Sequence, residues 1–491
     1  MLLDGARLLA LLGYVAAQIL VLFYAAHRYQ LLWRWRHARA APSPGAGFTG
    51  PAAWPVVTVQ LPVYNEARVV ERLIDAAAAL RYPAGRLEIQ VLDDSTDETR
   101  AIAAAAVARH RARGIDIHHL CRPSRAGFKA GALAAGLARA RGELLAIFDA
   151  DFVPPAEFLE RLVPRLTDPA IGMVQARWGH LNRRRSPLTA AQAALLDAHF
   201  LVEHPARAQA GLFFNFNGTA GVWRRNCIAD AGGWSDDTVT EDLDLSYRAQ
   251  LKGWRFAYDH RVVAPAEVPT DMEALKSQQR RWTRGAIQTA RKLLPVVWRS
   301  PLPAAVKLEA TFHLTGNAAY PLALALGLLL LPVLLAPSSL PAALGWAIQA
   351  LVAALGVIPV LLFLAVGRRE AGAGLAETVR DVPAALILGI GLSVNNARAV
   401  LAGLSRRAGA WERTPKTGDT DRAPARGHRY PSARGLAGGA ELLLAAWFVA
   451  VGVFAWRADH HGAVPFAALL VAGLGSVGLG SLRASLAQRP R

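Results

Sequence analysis

The chain has 491 residues, a formal net charge of +18 and a hydrophobic content of 53%. This length is enough for two or three units that each bury a core. The basic residues surround and separate long apolar runs, which argues against nucleic-acid binding and is typical of the cytoplasmic flanks of membrane helices. Cys121 and Cys227 are the only cysteines, so a disulfide framework and a cysteine zinc site are disfavoured and a reducing compartment is expected.

The first predicted element is an uncharged apolar run over residues 8–26. A signal peptide is the alternative, but its apolar core would be too long and its basic residues should precede the run. Here the basic residues follow the run: Arg28, Arg34, Arg36 and Arg39. The pattern therefore predicts a retained membrane helix that enters the cytoplasm at its carboxyl end.

A Pro- and Gly-rich linker over residues 41–55 precedes an alternation of strands and helices. The predicted strands are 56–63, 87–94, 115–121 and 144–149, and the predicted helices between them are 69–80, 98–113 and 128–141. Near-continuous apolar strands, each followed by a helix, indicate βαβ units and a parallel sheet. Ligands of such sheets bind at the carboxyl ends of the strands, where two pairs of acidic residues fall.

The first acidic pair is Asp93-Asp94, at the end of the second predicted strand. A strand-end carboxylate can bind the hydroxyls or the base of a nucleoside, while capping of the next helix by Ser95 or Asp97 is the alternative. Lys129, at the start of a predicted helix, suits a phosphate contact assisted by the helix N-terminus. A solvated lysine fits the same pattern.

The second acidic pair is Asp149-Ala-Asp151, at the end of a buried predicted strand. One carboxylate can face a nucleotide and the other a metal, provided that the strand ends between them. A hard divalent cation, Mg²⁺ or Mn²⁺, that bridges carboxylate and diphosphate oxygens stabilises a leaving group. A solvated turn is the alternative.

A third carboxylate group, Thr240-Glu241-Asp242, opens a predicted amphipathic helix over residues 243–251. The structural interpretation is an N-terminal cap. The functional interpretation makes Asp242 a general base that takes the proton from an acceptor hydroxyl.

The motif Gln278-x-x-Arg281-Trp282 lies where the α/β pattern gives way to long apolar runs. Helical spacing puts Gln278 and Arg281 on one face with Trp282 adjacent. Arg281 can neutralise charge that develops on a diphosphate, and Trp282 offers a flat apolar face to a sugar ring. Anchoring of an amphipathic helix at the membrane surface is a parallel role.

The stretch from His199 to His204 has one residue too many for a helical zinc motif. Helical spacing predicts that only His199 and Glu203 share a face, so a zinc site is disfavoured. A helix near the path of the acceptor is predicted instead.

Later apolar runs are long enough to span a membrane, and with the first helix they give about five spans. These runs are 314–335, 340–366, 436–456 and 464–482. The basic flanks place residues 28–310, residues 367–435 and the C-terminus in the cytoplasm, and the uncharged loop 336–339 outside. Counting the run 383–404 as a further span would put the basic residues after it outside, so an interfacial or re-entrant segment is predicted.

The ordered motifs across residues 56–295 resemble the membrane-embedded members of glycosyltransferase family 2. They are most similar to plant glucomannan or mannan synthases (cellulose-synthase-like A) and their bacterial relatives. The segments are QLPVYNE (60–66), QVLDDSTD (90–97), GFKAGA (127–132), IFDADF (147–152), VQARW (174–178), FNGTAGVW (216–223), EDLDL (241–245) and QQRRW (278–282). The resemblance implies inverting, metal-assisted sugar transfer.

Residue roles follow from the resemblance position by position. It implies that the nucleoside is bound by Tyr64, Glu66 and Asp94. The metal and diphosphate would be held by Asp149 and Asp151 with Lys129 nearby, the base would be Asp242, and the acceptor terminus and diphosphate would be placed by Gln278, Arg281 and Trp282. The stretch containing Trp411, Thr414 and Lys416 resembles the family's mobile gating loop, although the family usually has Phe where Trp411 stands.

The sequence therefore predicts an α/β GT-A domain plus an α-helical transmembrane domain of about five spans. The predicted divisions are a membrane helix (1–27), a basic flank and linker (28–55), a cytoplasmic GT-A domain (56–270), interfacial helices (271–310), two membrane helices (311–366), a cytoplasmic or interfacial segment (367–435) and two membrane helices (436–482). The expected location is the inner (plasma) membrane, in contact with its lipids.

The function expected from the resemblance is processive β-glycosyl transfer from a nucleotide sugar, GDP-mannose or UDP-glucose, to a growing polysaccharide. A non-processive enzyme that glycosylates a lipid acceptor, such as ceramide or diacylglycerol, is the alternative, because it would carry nearly the same motifs. Mg²⁺ or Mn²⁺ is the expected cofactor, and no nucleic acid is expected as a partner.

Overall fold

The computed structural model describes residues 2–40, 53–335, 341–405, 414, 416–418, 420–421 and 438–486. Trp411 of the predicted gating loop and the predicted outer loop 336–339 lie outside these ranges. Within them, a mixed α/β unit stands between one long apolar helix at the N-terminal side and a set of apolar helices at the C-terminal side.

Seven strands build the sheet of the α/β unit. They are β1 (Val57–Val63), β2 (Leu87–Asp93), β3 (Ile117–Cys121), β4 (Leu144–Ile147), β5 (Ile171–His180), β6 (Gly221–Arg224) and β7 (Arg255–Ala266). Their order is β3-β2-β1-β4-β6-β5-β7. The strands β1 to β4 are parallel, as predicted. The strand β6 runs antiparallel to both of its neighbours, which the apolar runs did not predict, so the complete sheet is mixed.

The helices of the α/β unit cover both faces of this sheet. They are α2 (Val70–Ala78), α3 (Thr99–Arg111), α4 (Phe128–Arg139), α5 (Phe158–Leu162), α6 (Pro187–Ala198), α7 (His204–Gln209), α8 (Arg225–Asp230) and α9 (Glu241–Leu251), after α1 (Leu2–Ala40). Alternate residues of β4 serve the two cores: Leu144 and Ala146 face one, Leu145 and Ile147 the other. This two-sided burial explains why the strand is apolar throughout.

Two helix starts show how local sequence sets the elements. Gly127 precedes α4 with a φ of 69°, a left-handed conformation that glycine adopts without strain. The Thr99 amide at the start of α3 donates to Asp97 Oδ1 at 3.0 Å. Of the two residues predicted to cap this helix, Asp97 is the one that holds its first amide, while the N-cap residue Glu98 makes no side-chain capping bond.

The C-terminal part of the described chain is helical. Its helices are α10 (Met272–Arg299), α11 (Ala304–Thr315), α12 (Ala319–Leu334), α13 (Ala342–Val352), α14 (Ile358–Glu370), α15 (Leu375–Gly391), α16 (Ser393–Leu404), α17 (Gly439–Arg457) and α18 (Val464–Leu486). Among the described residues, five helical stretches are long and apolar enough to cross a membrane, in agreement with the predicted number. These stretches are Arg7–Arg39, Ala304–Leu334, Ala343–Glu370, Gly439–Arg457 and His461–Leu486.

The pair α15 and α16 also passes this test but is bent by 48° between the two helices. The second helix of the pair lies against α10, since the Asn395 side chain donates to the Lys276 carbonyl at 3.0 Å and Arg291 donates to the Gly403 carbonyl at 3.2 Å. The interfacial or re-entrant placement of residues 383–404 stays a prediction.

Buried ion pairs join the α/β unit to the apolar helices. Arg368 of α14 lies 2.9 Å from both Asp197 of α6 and Asp381 of α15. Two further pairs are Arg207–Glu309 at 3.0 Å and Lys276–Glu441 at 2.7 Å. A charged side chain buried in this way destabilises the fold unless an opposite charge is paired with it.

Candidate active site

Two clefts open at the carboxyl ends of the central strands and meet there. The Asp242 cleft holds about 680 Å³ of empty space and includes Gln278 and Trp282 in its lining. The Asp94 cleft holds about 650 Å³ and includes Tyr64 and Glu66. Both clefts are lined by Lys129, Asp149, Asp151, Arg281 and Lys416. Every predicted site residue that the structure describes thus lines one cleft or both, while their chemical roles stay predictions.

Asp149 and Asp151 occupy a turn where the two clefts meet. The strand β4 ends at Ile147, so the prediction that it runs to Asp149 is wrong. The Phe152 amide donates to the Asp149 carbonyl at 3.0 Å, closing the turn. Both carboxylates line both clefts from this turn.

The oxygens of this turn fit a divalent cation. Asp151 Oδ1 is buried and has no hydrogen-bond partner among the described residues, and its other oxygen lies 2.8 Å from Lys416 Nζ. A buried carboxylate oxygen without a donor is costly, and hard cations take such oxygens as ligands. The side chain of Asp149 is 36% exposed to the same space. The two aspartates are therefore suited to hold Mg²⁺ or Mn²⁺ together.

Lys129 supplies a fixed positive charge beside the turn. Its Nζ lies 2.6 Å from Asp149 Oδ1, donates to the Gly218 carbonyl at 2.8 Å and lies 3.8 Å from Glu241. Burial disfavours the charge, but the carboxylates of Asp149 and Glu241 raise the pKa of Lys129 above its usual value. Gly218 has a φ of +81°, and a Cβ there would lie 3.0 Å from Asp242 Oδ2, so this close approach requires glycine.

Asp242 lies in the first turn of α9. The side chain of Thr240, the residue before this helix, makes no capping hydrogen bond, so capping does not account for the motif. Burial, and then the negative charge of Glu241, raise the pKa of Asp242 to about 7. A carboxylate that exchanges its proton near neutral pH in a cleft has the property of a general base.

The α10 motif forms one wall of the Asp242 cleft. Gln278, Arg281 and Trp282 line it together, as the helical spacing predicts. The Trp282 ring centroid lies 6.3 Å from that of Trp178, which in turn lies 5.3 Å from the ring of Phe152. Phe152 is buried behind Trp178, whereas Trp178 and Trp282 are half-buried in the cleft lining, so these two rings can contact a sugar chain.

Trp178 was missed as a site residue. It lies on β5, a strand that was not predicted. Its indole N–H is buried and has no hydrogen-bond partner among the described residues, so it can donate to a sugar hydroxyl. Its place in the VQARW segment was the available signal.

The Asp94 cleft contains two arginine contacts that were not predicted. The Asp94 carboxylate accepts from the Arg122 guanidinium at 2.9 and 2.5 Å. The guanidinium carbon of Arg125 lies 3.4 Å from the ring centroid of Tyr64, a close cation–π contact. The carboxylate and the aromatic ring expected at a nucleoside site are thus held in place by neighbouring cations.

The described part of the predicted gating loop lies against the α/β unit. Thr414 is buried in the lining of the Asp94 cleft, and the amides of Thr417 and Gly418 donate to Glu267 Oε2 at 3.1 and 3.0 Å. Arg72 holds the other oxygen of Glu267 at 2.6 Å. Glu267 was not predicted, because no motif marks it, and it fixes the backbone that presents Lys416.

The helix near the Asp242 cleft contains a local widening that changes which side chains meet. Residues His199–Glu203 form one turn of π-helix, in which residues five apart come onto one face. Besides the predicted His199–Glu203 contact at 3.1 Å, the ring of His204 lies 4.3 Å from that of His199. The prediction that only His199 and Glu203 share a face is therefore wrong, and both histidines contact Asn217, which lines the cleft.

Sequence comparison relates the α/β unit to a known family. Residues 55–285 match the model "Glycosyltransferase like family 2". The chain is 43% identical over 256 residues to glucomannan 4-beta-mannosyltransferase 2 of Arabidopsis thaliana. This match covers 51% of this chain and 48% of the relative. Glucomannan 4-beta-mannosyltransferase 1 of Oryza sativa subsp. japonica is 42% identical over 256 residues, 51% of this chain and 49% of the relative. The match spans about half the length of these relatives.

A solved structure shares the fold. A mannosyltransferase from Pyrobaculum calidifontis, solved in complex with GDP-Man and Mn²⁺, is 23% identical, with a TM-score of 0.53 over 82% of this chain and 100% of that one. At this identity the likeness bears on the fold alone. The predicted GT-A class is confirmed by the mixed sheet and this neighbour.

Proposed function

We propose that this chain, whose residues 55–285 are a glycosyltransferase family 2 domain, transfers a hexosyl group from a nucleotide sugar to the hydroxyl end of a growing β-linked polysaccharide. The observation that carries the proposal is the meeting of two clefts at Asp149 and Asp151, with Asp242 in one and Asp94 in the other. GDP-mannose is the first donor to test, because the similar curated proteins are named as mannosyltransferases. UDP-glucose is the second.

In this proposal the nucleoside of the donor lies in the Asp94 cleft, against Tyr64 and Glu66. The diphosphate lies where the clefts meet, near the cationic side chains of Lys129, Arg281 and Lys416. A divalent cation held by Asp149 and Asp151 would offset negative charge on the leaving diphosphate. Burial disfavours the charge of Lys416, but the Asp151 carboxylate raises its pKa, so this residue stays cationic beside the diphosphate.

The acceptor terminus lies in the Asp242 cleft, stacked on Trp282 and Trp178. Asp242 takes the proton of the acceptor hydroxyl as its oxygen forms a bond to the anomeric carbon of the donor. The bond from that carbon to the diphosphate oxygen breaks, and the nucleoside diphosphate leaves with the bonding electron pair. Because the attack comes from the face opposite the leaving group, the configuration at the anomeric carbon inverts.

The titration of Asp242 predicts the pH dependence of this reaction. We expect kcat/KM to fall as the pH drops below about 7, because a protonated Asp242 cannot accept the proton of the acceptor. Glu241→Gln removes the neighbouring charge that raises this pKa, so the midpoint should move to lower pH. The measurement is the initial rate against pH at low donor concentration. Glu160→Gln, an exposed carboxylate paired with Arg81, is the control, and a midpoint unmoved by Glu241→Gln contradicts the assignment.

The product decides between the polymer and the lipid acceptor. We expect the purified chain in detergent, given each radiolabelled nucleotide sugar, to make products much longer than one sugar even when the donor is scarce. Trp282→Ala should shorten the chains because a stacking face is lost, while Trp282→Phe should retain part of the length and both should bind donor. Size analysis after a brief reaction is the measurement. Label found only in a monoglycosylated lipid extractable into organic solvent supports the lipid glycosyltransferase alternative instead.

We also propose that the catalytic unit faces the cytoplasm, with the N-terminal helix entering it and the segment 367–435 on the same side. In right-side-out vesicles, an impermeant thiol reagent should label Gly462→Cys but not Thr417→Cys. Both changes are made in a chain with Cys121→Ser and Cys227→Ala, and disrupted vesicles provide the control for reactivity. Labelling of Thr417→Cys in sealed vesicles would mean that residues 383–404 span the membrane.

A further inference from the structure

One cluster of metal-type ligands lies outside the site described above. Cys121, the last residue of β3, is the register partner of Asp93, the last residue of β2. His119 stands two residues before Cys121, so both point to the same side of this edge strand. One carboxylate oxygen, one imidazole nitrogen and one sulfur atom lie within 4.8 Å of one another. Two distant cysteines argued against a zinc site built on cysteines, but the sheet assembles three different donors around a single thiol.

His119 Nε2 lies close to both of the other donors. His119 Nε2 lies 2.8 Å from Asp93 Oδ2 and 3.7 Å from Cys121 Sγ. Ligands of a tetrahedral zinc ion, at bond lengths of about 2.0–2.3 Å, lie about 3.3–3.8 Å apart. The sulfur is thus already at a suitable separation from His119 Nε2, and the His119–Asp93 contact must open by only about half an ångström.

The surroundings leave Asp93 Oδ2 and the Cys121 sulfur available to a metal ion. Asp93 is fully buried, and its Oδ1 accepts from the Ser95 amide at 2.8 Å, which orients Oδ2 toward His119. Cys121 is exposed, so an ion can enter from solvent and keep a water molecule as its fourth ligand. The donor set also differs from the Asp149–Asp151 pair, because thiolate and imidazole select softer cations than two carboxylates do.

We propose that Asp93, His119 and Cys121 form a second metal site that binds a thiophilic divalent cation such as Zn²⁺. This site is separate from the carboxylate pair Asp149 and Asp151. On binding, the Cys121 thiol releases its proton to solvent and coordinates as the thiolate. His119 coordinates through an unprotonated Nε2 and carries its proton on Nδ1. No electron transfer is involved, so no further reactant is required.

The experiment uses the metal-free full-length chain in detergent. The chain carries Asp149→Asn to weaken cation binding at the Asp149–Asp151 pair. Titration with Co²⁺ should produce a thiolate-to-metal charge-transfer band, and one equivalent of Zn²⁺ should remove it. Zn²⁺, but not Mg²⁺, should also slow the alkylation of Cys121 by iodoacetamide. Cys227 does not compete as a thiol, because it is buried and burial raises its pKa to about 12.

Two substitutions test the assignment against a matched control. His119→Asn should weaken Zn²⁺ binding by at least about tenfold, since even the loss of an outer-shell partner costs about 10–100-fold. His118→Asn should leave binding unchanged, because His118 points to the other side of β3 and pairs with Asp116 at 2.8 Å. A missing charge-transfer band, or alkylation at the same rate with and without Zn²⁺, overturns the proposal even if a variant fails to fold.

Discussion

Asp242→Asn should reduce sugar transfer by about a hundred- to ten-thousand-fold, the usual contribution of a positioned base. The amide has nearly the same shape but cannot take the proton of the acceptor. Asp242 lines the cleft that holds the aromatic wall and is absent from the lining of the Asp94 cleft, so binding of the nucleotide sugar should persist. The two measurements are transfer in a single turnover and donor affinity by equilibrium binding.

A matched control for this substitution is Asp237→Asn, which changes a half-exposed carboxylate paired with Lys292 at 2.7 Å. It should transfer sugar at close to the native rate. If Asp242→Asn fails to bind donor but transfers normally per bound molecule, Asp242 is a donor ligand and another group must accept the proton.

The second large effect is expected at the turn that contains Asp149 and Asp151. Asp151→Asn and Asp149→Asn should each reduce donor turnover by at least about a hundredfold, or about 2.7 kcal/mol of transition-state stabilisation, because each removes a ligand for the divalent cation. A chelator should abolish turnover by the native chain, and Mn²⁺ or Mg²⁺ should restore it. Steady-state rates with metal-buffered solutions are the measurement.

A control substitution and detergent extraction separate the loss of metal binding from a folding defect. Asp116→Asn changes an exposed carboxylate that pairs with Arg141 and should leave activity and detergent extraction unchanged. The two turn variants should also be extracted as the native chain is, because the turn backbone is held by Thr219 and Phe152 and not by the carboxylates. Full turnover in the presence of chelator would contradict the metal role.

The first half of the sheet could be predicted because its physics is local. Strands β1 to β4 are short apolar runs bounded by turns, and each was predicted within two residues of its bounds. The second half could not be, since β5 to β7 depend on partners that are distant in sequence, and β6 pairs with its two neighbours in the antiparallel sense. The same limit applied to β4, where the apolar run continues to Phe148 but its ladder ends at Ile147, which turned a predicted strand end into a turn.

The site residues followed a similar division. Those in linear motifs, such as Lys129 and Arg281, could be predicted and lie together in the clefts. Glu267 and Arg122 could not, because their roles come from contacts across more than twenty residues and not from a pattern. The contact of His204 with His199 could not be predicted for a third reason, because only the π-helical turn brings the two rings together.

The buried ion pairs between the α/β unit and the apolar helices decide how this protein can be divided. A fragment cut before α11 would keep Asp197, Arg207 and Lys276 but lose Arg368, Glu309 and Glu441. Removing one partner of a buried pair costs about 3–5 kcal/mol, and a whole domain is stable by only about 5–15 kcal/mol. The α/β unit is therefore not a detachable module, and a chimaera that exchanges it between relatives must carry the matching charges of the apolar helices with it.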